Sequence, residues 1–517
     1  MTQESMDMCT TTVLVGGSVV FLALSILVAV SCAGAPSAWQ AVRPVGPAKG
    51  PLKVLSSNSR YFTDGTGRAI YLTGSLTWSN QNDQGTTDPP PVFDFDAYLD
   101  FLQAHNHNFI RLRRKELTQY TFTGLYDDKM VYVAGPHPWP RTGPGLALDG
   151  KPKFDLSKFD QAFFDRLRSR VIAARDRGIY VSVMFFDGNG PAGSKKPWCW
   201  DGHPFNVNNN INGIDGDPNK TGRGMDFASL KVPAVTPLQE AYVRKIVDTV
   251  NDLDNVLYEI ANECHSVPRG CLEWERHLVN YVHEYEAQKP WQHPVGMTFL
   301  LRGTNDDLFD SPADWVSPGG NDDTPGGYGG VEPDPPDAKG RKVVLNDTDH
   351  SFYYTWLQKV GLAGQRAWVW ENFMRGNSTL FMDPYLEYDS KRNKPKDGEL
   401  DPYWETIRIS MGYTRRYADR VNLAAMTPQG ILSSSGYCLA NTTAQEAELL
   451  VYVPRGPEVT VDLSAVSGAL AVEWFNPSTG EATEGEPVTG GADFSMTAPF
   501  DGDAVLYMMQ TTGPAKE

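Results

Sequence analysis

Cysteine is scarce in this chain, six in 517 residues. There is no C-x-x-C pair and no histidine-rich cluster, so the usual structural zinc patterns are excluded. Basic residues are outnumbered, 46 against 63 acidic, for a net charge of −17. A surface of that sign repels phosphate backbones and anionic lipid, which argues against nucleic acid and anionic membranes as partners. A G-x-S-x-G elbow is missing, and so is a G-x-x-x-x-G-K-[ST] phosphate loop. Serine-hydrolase and nucleotide-dependent chemistries fall away with them. Long apolar runs are confined to one, Val13–Val30.

That run is followed by Ser31-Cys32-Ala-Gly-Ala, a small-residue zone of the kind found at signal cleavage sites. The residues before it include Glu4 and Asp7 and no Lys or Arg. The expectation is export, with residues 1–32 as a signal peptide or a lipoprotein signal that leaves a lipid anchor at Cys32. Residues 33–54 are rich in Pro, Ala and Gly and read as a linker. What remains is too long for one ordinary core, so two domains are expected, 55–421 and 422–512. In an oxidising compartment Cys264 and Cys271, seven apart, are placed to close a small ring. Thirteen Trp and 22 Tyr supply rings for core packing or for stacking on sugars.

The first of these regions alternates short apolar runs with helical spacing. Strands are predicted at Ala69–Leu72, running on to Trp78, then Asn108–Arg113, Ile179–Phe186 and Val256–Ala261. Four more follow at His293–Phe299, Asp314–Ser317, Lys342–Asp347 and Ala367–Phe373. Helices are predicted over Phe93–His105, Phe154–Gly178, Pro237–Leu253, Leu272–Gln288 and Asp401–Val421, while Leu117–Lys153 and Gly188–Arg223 read as long loops. Eight parallel strands with crossovers predict a (β/α)₈ TIM barrel, whose chemistry sits at the C-terminal ends of the strands. After Asn422 the pattern is purely β, with turns about every ten residues, which predicts a small β-sandwich.

One stretch carries most of the functional information. Val256-Leu-Tyr-Glu-Ile-Ala is apolar enough for a strand buried on both faces, and it stops at Asn262-Glu263. Together with RYFTDGTGRAIYLTGSLTW, AHNHNFIRLRR, VLYEIANE, VVLNDTDH and MGYTRRYADRVNLAAMTP, it resembles a group of secreted bacterial cellulase-like glycoside hydrolases of clan A, family 5-like. The likeness extends over residues 55–512. It implies a glycosidase with no cofactor, acting on a poly- or oligosaccharide outside the cytoplasmic membrane and most simply as a monomer. It implies Glu263 as acid/base, with Asn262 beside it on a sugar hydroxyl.

The resemblance places a second carboxylate, normally Glu, at the end of the seventh strand. Here that position is Asp347, with Asp349 two residues on and His350 next. Glu371, in VWENF, is a third candidate. Arg111 resembles the family arginine that pairs with the catalytic carboxylate. Trp78, Trp198 and Trp370 are candidate stacking surfaces for sugar. Asp349 and His350 alone do not make a metal site. The stretch YVPRGPEVTVDLSAVSGALAVEWFNPSTG resembles the C-terminal sandwich of such hydrolases, a module labelled collagen-binding. The shortened seventh-strand carboxylate keeps open a second class, a catalytically silent carbohydrate- or matrix-binding protein on the same barrel.

Overall fold

A computed structural model of the chain describes residues 46–77, 80–120, 131–188, 198–264, 270–319, 334–347, 354–383, 385, 402–444 and 446–511. The apolar run Val13–Val30 lies outside them, as do Cys32, Trp78, Asp349 and His350. Among the described residues no helix is long and apolar enough to cross a membrane.

The barrel strands are β1 (Gly74–Leu76), β2 (Phe109–Leu112), β3 (Tyr180–Phe186), β4 (Val256–Ala261), β5 (Val295–Thr298), β6 (Trp315–Ser317), β7 (Val343–Asp347) and β8 (Ser378–Met382). They form one eight-stranded sheet in the order β1-β8-β7-β6-β5-β4-β3-β2, every pair parallel. The two ends meet where the Asn108 N–H donates to the Thr73 carbonyl at 3.0 Å and the Asn108 side chain accepts from the Thr73 N–H at 2.9 Å. A Cβ on Gly74 would stand 1.9 Å from the Phe109 carbonyl oxygen, so only glycine lets β1 and β2 approach this closely.

Alternation along the strands sorts side chains between two compartments. Phe109, Tyr180, Leu257, Val343, Leu345 and Leu380 pack inside the barrel. Ile110, Val181, Val183, Tyr258, Ile260 and Val344 face the surrounding helices. Those helices include α1 (Phe95–Ala104), α2 (Gln161–Asp176), α3 (Thr236–Val250) and α4 (Cys271–Glu286). Further on lie α5 (Tyr354–Met374) and α6 (Pro402–Arg420). Helix α2 begins later than its spacing predicts. Phe154 ends a short strand paired with Arg141–Leu146, and Asp160 caps the helix by accepting from the Ala162 N–H at 3.1 Å. The loop expected over Leu117–Lys153 contains most of this hairpin and supplies two strands, Gln119–Tyr120 and Tyr132–Gly135, of a second ladder completed by Asp83–Gly85.

Two strand assignments need correction. The first expected strand begins too early: within the run from Ala69 to Trp78 only Gly74–Leu76 is β1, and the Ile70 N–H donates to the Phe62 carbonyl at 2.7 Å, which ties Ile70 to the preceding strand Phe62–Thr63. Ala367–Phe373 is not a strand at all. It is the last part of α5, whose helical path is interrupted at Gly361 (φ 66°, ψ −176°). Trp368, Val369, Trp370 and Phe373 are all buried, and a helix covered on every side shows no amphipathic period from which to recognise it.

The second region is a β-sandwich. Strands β9 (Thr427–Pro428), β10 (Cys438–Asn441), β11 (Glu448–Val453), β13 (Ala469–Phe475), β14 (Ala482–Thr489) and β16 (Ala504–Gln510) form an antiparallel sheet. Strands β12 (Glu458–Asp462) and β15 (Asp493–Thr497) pair across from it. The parity of β11 shows how both faces are used. Leu449, Val451 and Val453 enter the sandwich core, whereas Leu450 and Tyr452 pack with Trp370 and Phe373 of α5 and Tyr417 of α6. Ion pairs flank that seam, Arg366–Asp503 at 2.7 Å and Arg420–Glu473 at 2.6 Å.

Candidate active site

Strands β2, β4 and β7 bring charge into the barrel, and β5 brings a hydroxyl. Asp347 is the last residue of β7 and shares the inward parity of Val343 and Leu345. Arg111, on β2, has the parity of Phe109 and reaches across the lumen. One terminal nitrogen of its guanidinium hydrogen-bonds Asp347 Oδ2. Its Nε lies 3.0 Å from Glu259 Oε2, and its other terminal nitrogen donates to Thr298 Oγ1 at 3.3 Å. Thr298 in turn donates to Glu259 Oε1, and Ser182 donates to Glu259 Oε2 at 3.1 Å. Arg111, Glu259 and Asp347 are 1%, 0% and 3% exposed, so this is a dry layer of one cation and two carboxylates.

Glu263 stands at the mouth, half-buried, and its backbone is left-handed at φ 44°. A side-chain-bearing residue in that region costs of order 1–3 kcal/mol unless its surroundings hold it there. Both neighbours are held. The Asn262 N–H donates to the Phe186 carbonyl at 3.2 Å, and the Cys264 carbonyl accepts from the Leu301 N–H at 2.9 Å. Cys264 is also joined to Cys271, the first residue of α4, by the disulfide expected from spacing. Gly188 passes beneath: a Cβ there would meet Cys264 Cβ at 2.7 Å and the Asn262 oxygen at 2.8 Å. Asn262 itself is buried. Replacing Cys264 and Cys271 by Ser should cost about 2 kcal/mol of stability, as the ring constrains the unfolded chain. Urea denaturation of the double variant checks this, and a loss under about 0.5 kcal/mol would show that the bond does not anchor the loop.

A second layer fixes the strand after Arg111. The Asn80 side chain donates to the Arg111 carbonyl at 2.7 Å and accepts from the Arg113 N–H at 2.8 Å. The Asn82 side chain accepts from the Lys115 N–H at 2.7 Å. Arg113 and Lys115 then close on Asp187, just past β3, at 2.9 and 3.2 Å.

Two of the remaining sequence candidates, Trp370 and Glu371, do not gather here. Trp370 is fully buried in the seam with the sandwich, stacked on Tyr452 at 6.1 Å between ring centres, so its expected sugar-stacking role is corrected to packing. Glu371 belongs to α5 and not to a strand tip, which removes it as the partner of Glu263. Burial, with Asp334 nearby, pushes its carboxyl up to about 8. Trp198 begins a one-turn helix, and its side chain is outside the described residues. Trp78, Asp349 and His350 lie outside them entirely. Sequence reasoning passed over Glu259. Its signal was a lone charge in an apolar strand, four residues before Glu263 and on the same parity.

Among the described residues one group gathers three potential metal ligands, Cys264, Cys271 and Glu275. Two of its members are bonded to each other, and a disulfide sulfur is not a thiolate ligand. Burial holds the Glu275 carboxyl well above the usual range, which favours its neutral form.

Comparison with known proteins adds two kinds of likeness. A family described as a domain of unknown function (DUF6298) matches residues 133–312, and one described as "Putative collagen-binding domain of a collagenase" matches residues 431–508. The chain is similar in fold to a structure titled "Glycoside hydrolase", at 14% identity and TM-score 0.54, over 90% of this chain and 98% of that one. It is similar also to a glycoside hydrolase family 5 structure from Bacteroides vulgatus, at 13% identity and TM-score 0.53, over 90% and 95%. A search of curated proteins gives no match. At these identities the likeness establishes the fold, a TIM barrel followed by a β-sandwich.

Proposed function

We propose that the chain is an exported glycoside hydrolase that cleaves O-glycosidic bonds of a poly- or oligosaccharide with two carboxylates. The observation that carries this reading is the buried ion pair between Arg111 on β2 and Asp347 at the end of β7, in a barrel whose β4 leads into Asn262-Glu263. Glu263 gives its proton to the leaving glycosidic oxygen as the C–O bond breaks. Asp347 either bonds to the anomeric carbon or takes a proton from the water that attacks it. Asn262 hydrogen-bonds a hydroxyl of the sugar being cleaved. The same proposal takes residues 55–421 as the catalytic domain and 422–512 as the sandwich. It places the protein outside the cytoplasmic membrane, cleaved or lipidated near Cys32 and acting as a monomer.

A second reading has one observation in its favour. Asp347 is only 3% exposed and already engaged by Arg111, which suits a barrel that binds sugar or matrix without cleaving it. Release of reducing ends across a panel of β-glucans, xylans, mannans and α-glucans separates the two. The first reading expects hydrolysis of at least one substrate by the wild type and a large loss of it in Glu263→Gln. Binding without release across the panel would support the second.

A further inference from the structure

We propose that Glu259 is a positioning residue: it fixes the Arg111 guanidinium so that the edge presented to Asp347 is constant. This rests on the role given to Asp347 above. The argument begins with cost. A carboxylate taken fully out of water is expensive unless its lone pairs are met. Glu259 meets this demand with three partners from three strands: Arg111 Nε on β2, the Ser182 hydroxyl on β3 and the Thr298 hydroxyl on β5.

Thr298 makes the arrangement directional. Its oxygen accepts from Arg111 and its hydrogen goes to Glu259. Arg111 and Glu259 are thereby connected twice, once by the ion pair and once through Thr298. A planar guanidinium with a carboxylate oxygen 3.0 Å from its Nε and a hydroxyl accepting from one terminal nitrogen is restricted in its orientation. Its remaining terminal nitrogen then falls on Asp347 Oδ2.

The arrangement is more than a filled core position, because one cation is divided between two carboxylates. Glu259 draws on the charge that would otherwise act on Asp347 alone, and adds a like charge to the same dry layer. Among the described residues, the charged groups nearest this layer are committed elsewhere or stand at the mouth. Arg113 is paired with Asp187, Asp383 beyond β8 is paired with Arg408 at 2.5 Å, and Glu263 is at the rim. Glu259 is therefore the residue through which β4 sets both the orientation and the charge that Asp347 meets.

The test does not need turnover. In protein labelled with ¹³C at aspartate carboxyls, the Asp347 signal is identified by its loss in Asp347→Asn and followed against pH. Glu259→Gln keeps the shape and removes the charge, and should move the Asp347 titration to lower pH, because Arg111 then acts on one carboxylate instead of two. Glu259→Asp keeps the charge but withdraws it from Nε. It should leave the titration closer to the wild type while the guanidinium rotates faster about its Nε–Cζ bond, seen by ¹⁵N NMR. Should Glu259→Gln fail to fold, the rotation rate in Glu259→Asp decides. An Asp347 titration unmoved by Glu259→Gln, or an unchanged rotation rate in Glu259→Asp, overturns the proposal, whatever happens to melting temperature. A polysaccharide panel without hydrolysis strikes the glycosidase reading and leaves these two results to judge Glu259 by themselves.

Discussion

On the substrate that the wild type cleaves, Glu263→Gln will turn over about 10²–10⁴-fold more slowly, the usual contribution of a positioned general acid. Asp347→Asn will lose at least as much, because no other group on β7 within the described residues offers a carboxylate to the lumen. The two losses differ in kind. An aryl glycoside with a very good leaving group departs with little proton help, so it should restore much of the activity of Glu263→Gln. It should restore none to Asp347→Asn, where the group that attacks, or that activates water, is gone. Steady-state kinetics on one natural and one activated substrate, with circular dichroism to show that both variants fold, reads the pattern. If Asp347→Asn stays active while Asp349→Asn is dead, the second role belongs to Asp349. Two variants at wild-type rates would end the two-carboxylate account of this barrel.

How far the sequence predicted this arrangement depended on whether a residue's environment leaves a local period. Strands β2 to β7 were visible within a few residues, because each is a short apolar run between polar loops. β8 was misplaced for a physical reason: α5 is packed between barrel and sandwich, so its last two turns are buried almost all round, with only Glu371 and Asn372 polar among mostly apolar residues, and imitate a buried strand. The true β8, Ser378–Met382, begins two residues after Gly376, whose φ of 75° turns the chain out of the helix. That error carried Glu371 and Trp370 into the list of site candidates.

Arg111 was legible because an arginine inside a barrel strand demands a carboxylate. Its first partner was found in Asp347. Its second, Glu259, was passed over, since a charge in the middle of VLYEIA reads as an interruption until the two-residue parity from Glu263 is counted back through Ala261. The left-handed backbone of Glu263 has no sequence signal, as φ > 0 is announced by glycine and not by glutamate. The disulfide was legible from the spacing together with the export segment, and by fixing Cys264 it helps to hold such a backbone.

Removing Arg111 should have the largest effect on stability. Arg111→Met keeps the length and apolar stem of the side chain and deletes the only cation bonded to Glu259 and Asp347 among the described contacts. Deleting one partner of a buried ion pair costs about 3–5 kcal/mol, because the charges left behind are desolvated and uncompensated. The loss should depend on pH. Without the guanidinium, the two buried carboxyls relieve their repulsion by holding a proton that the unfolded chain releases. A folded state that binds more protons than the unfolded one loses stability as pH rises. The deficit relative to wild type should therefore be smallest in acid and widen toward neutral pH. Urea denaturation at several pH values measures it. A deficit under about 1 kcal/mol at neutral pH, or one that does not change with pH, would mean that water or another cation satisfies these carboxylates. Combining Arg111→Met with Glu259→Leu removes one of the stranded charges. It should recover part of the loss, since replacing buried ionic groups by apolar ones of similar volume is often neutral or stabilising. A double variant less stable than Arg111→Met alone would show that Glu259 is held by Ser182 and Thr298 independently of the arginine.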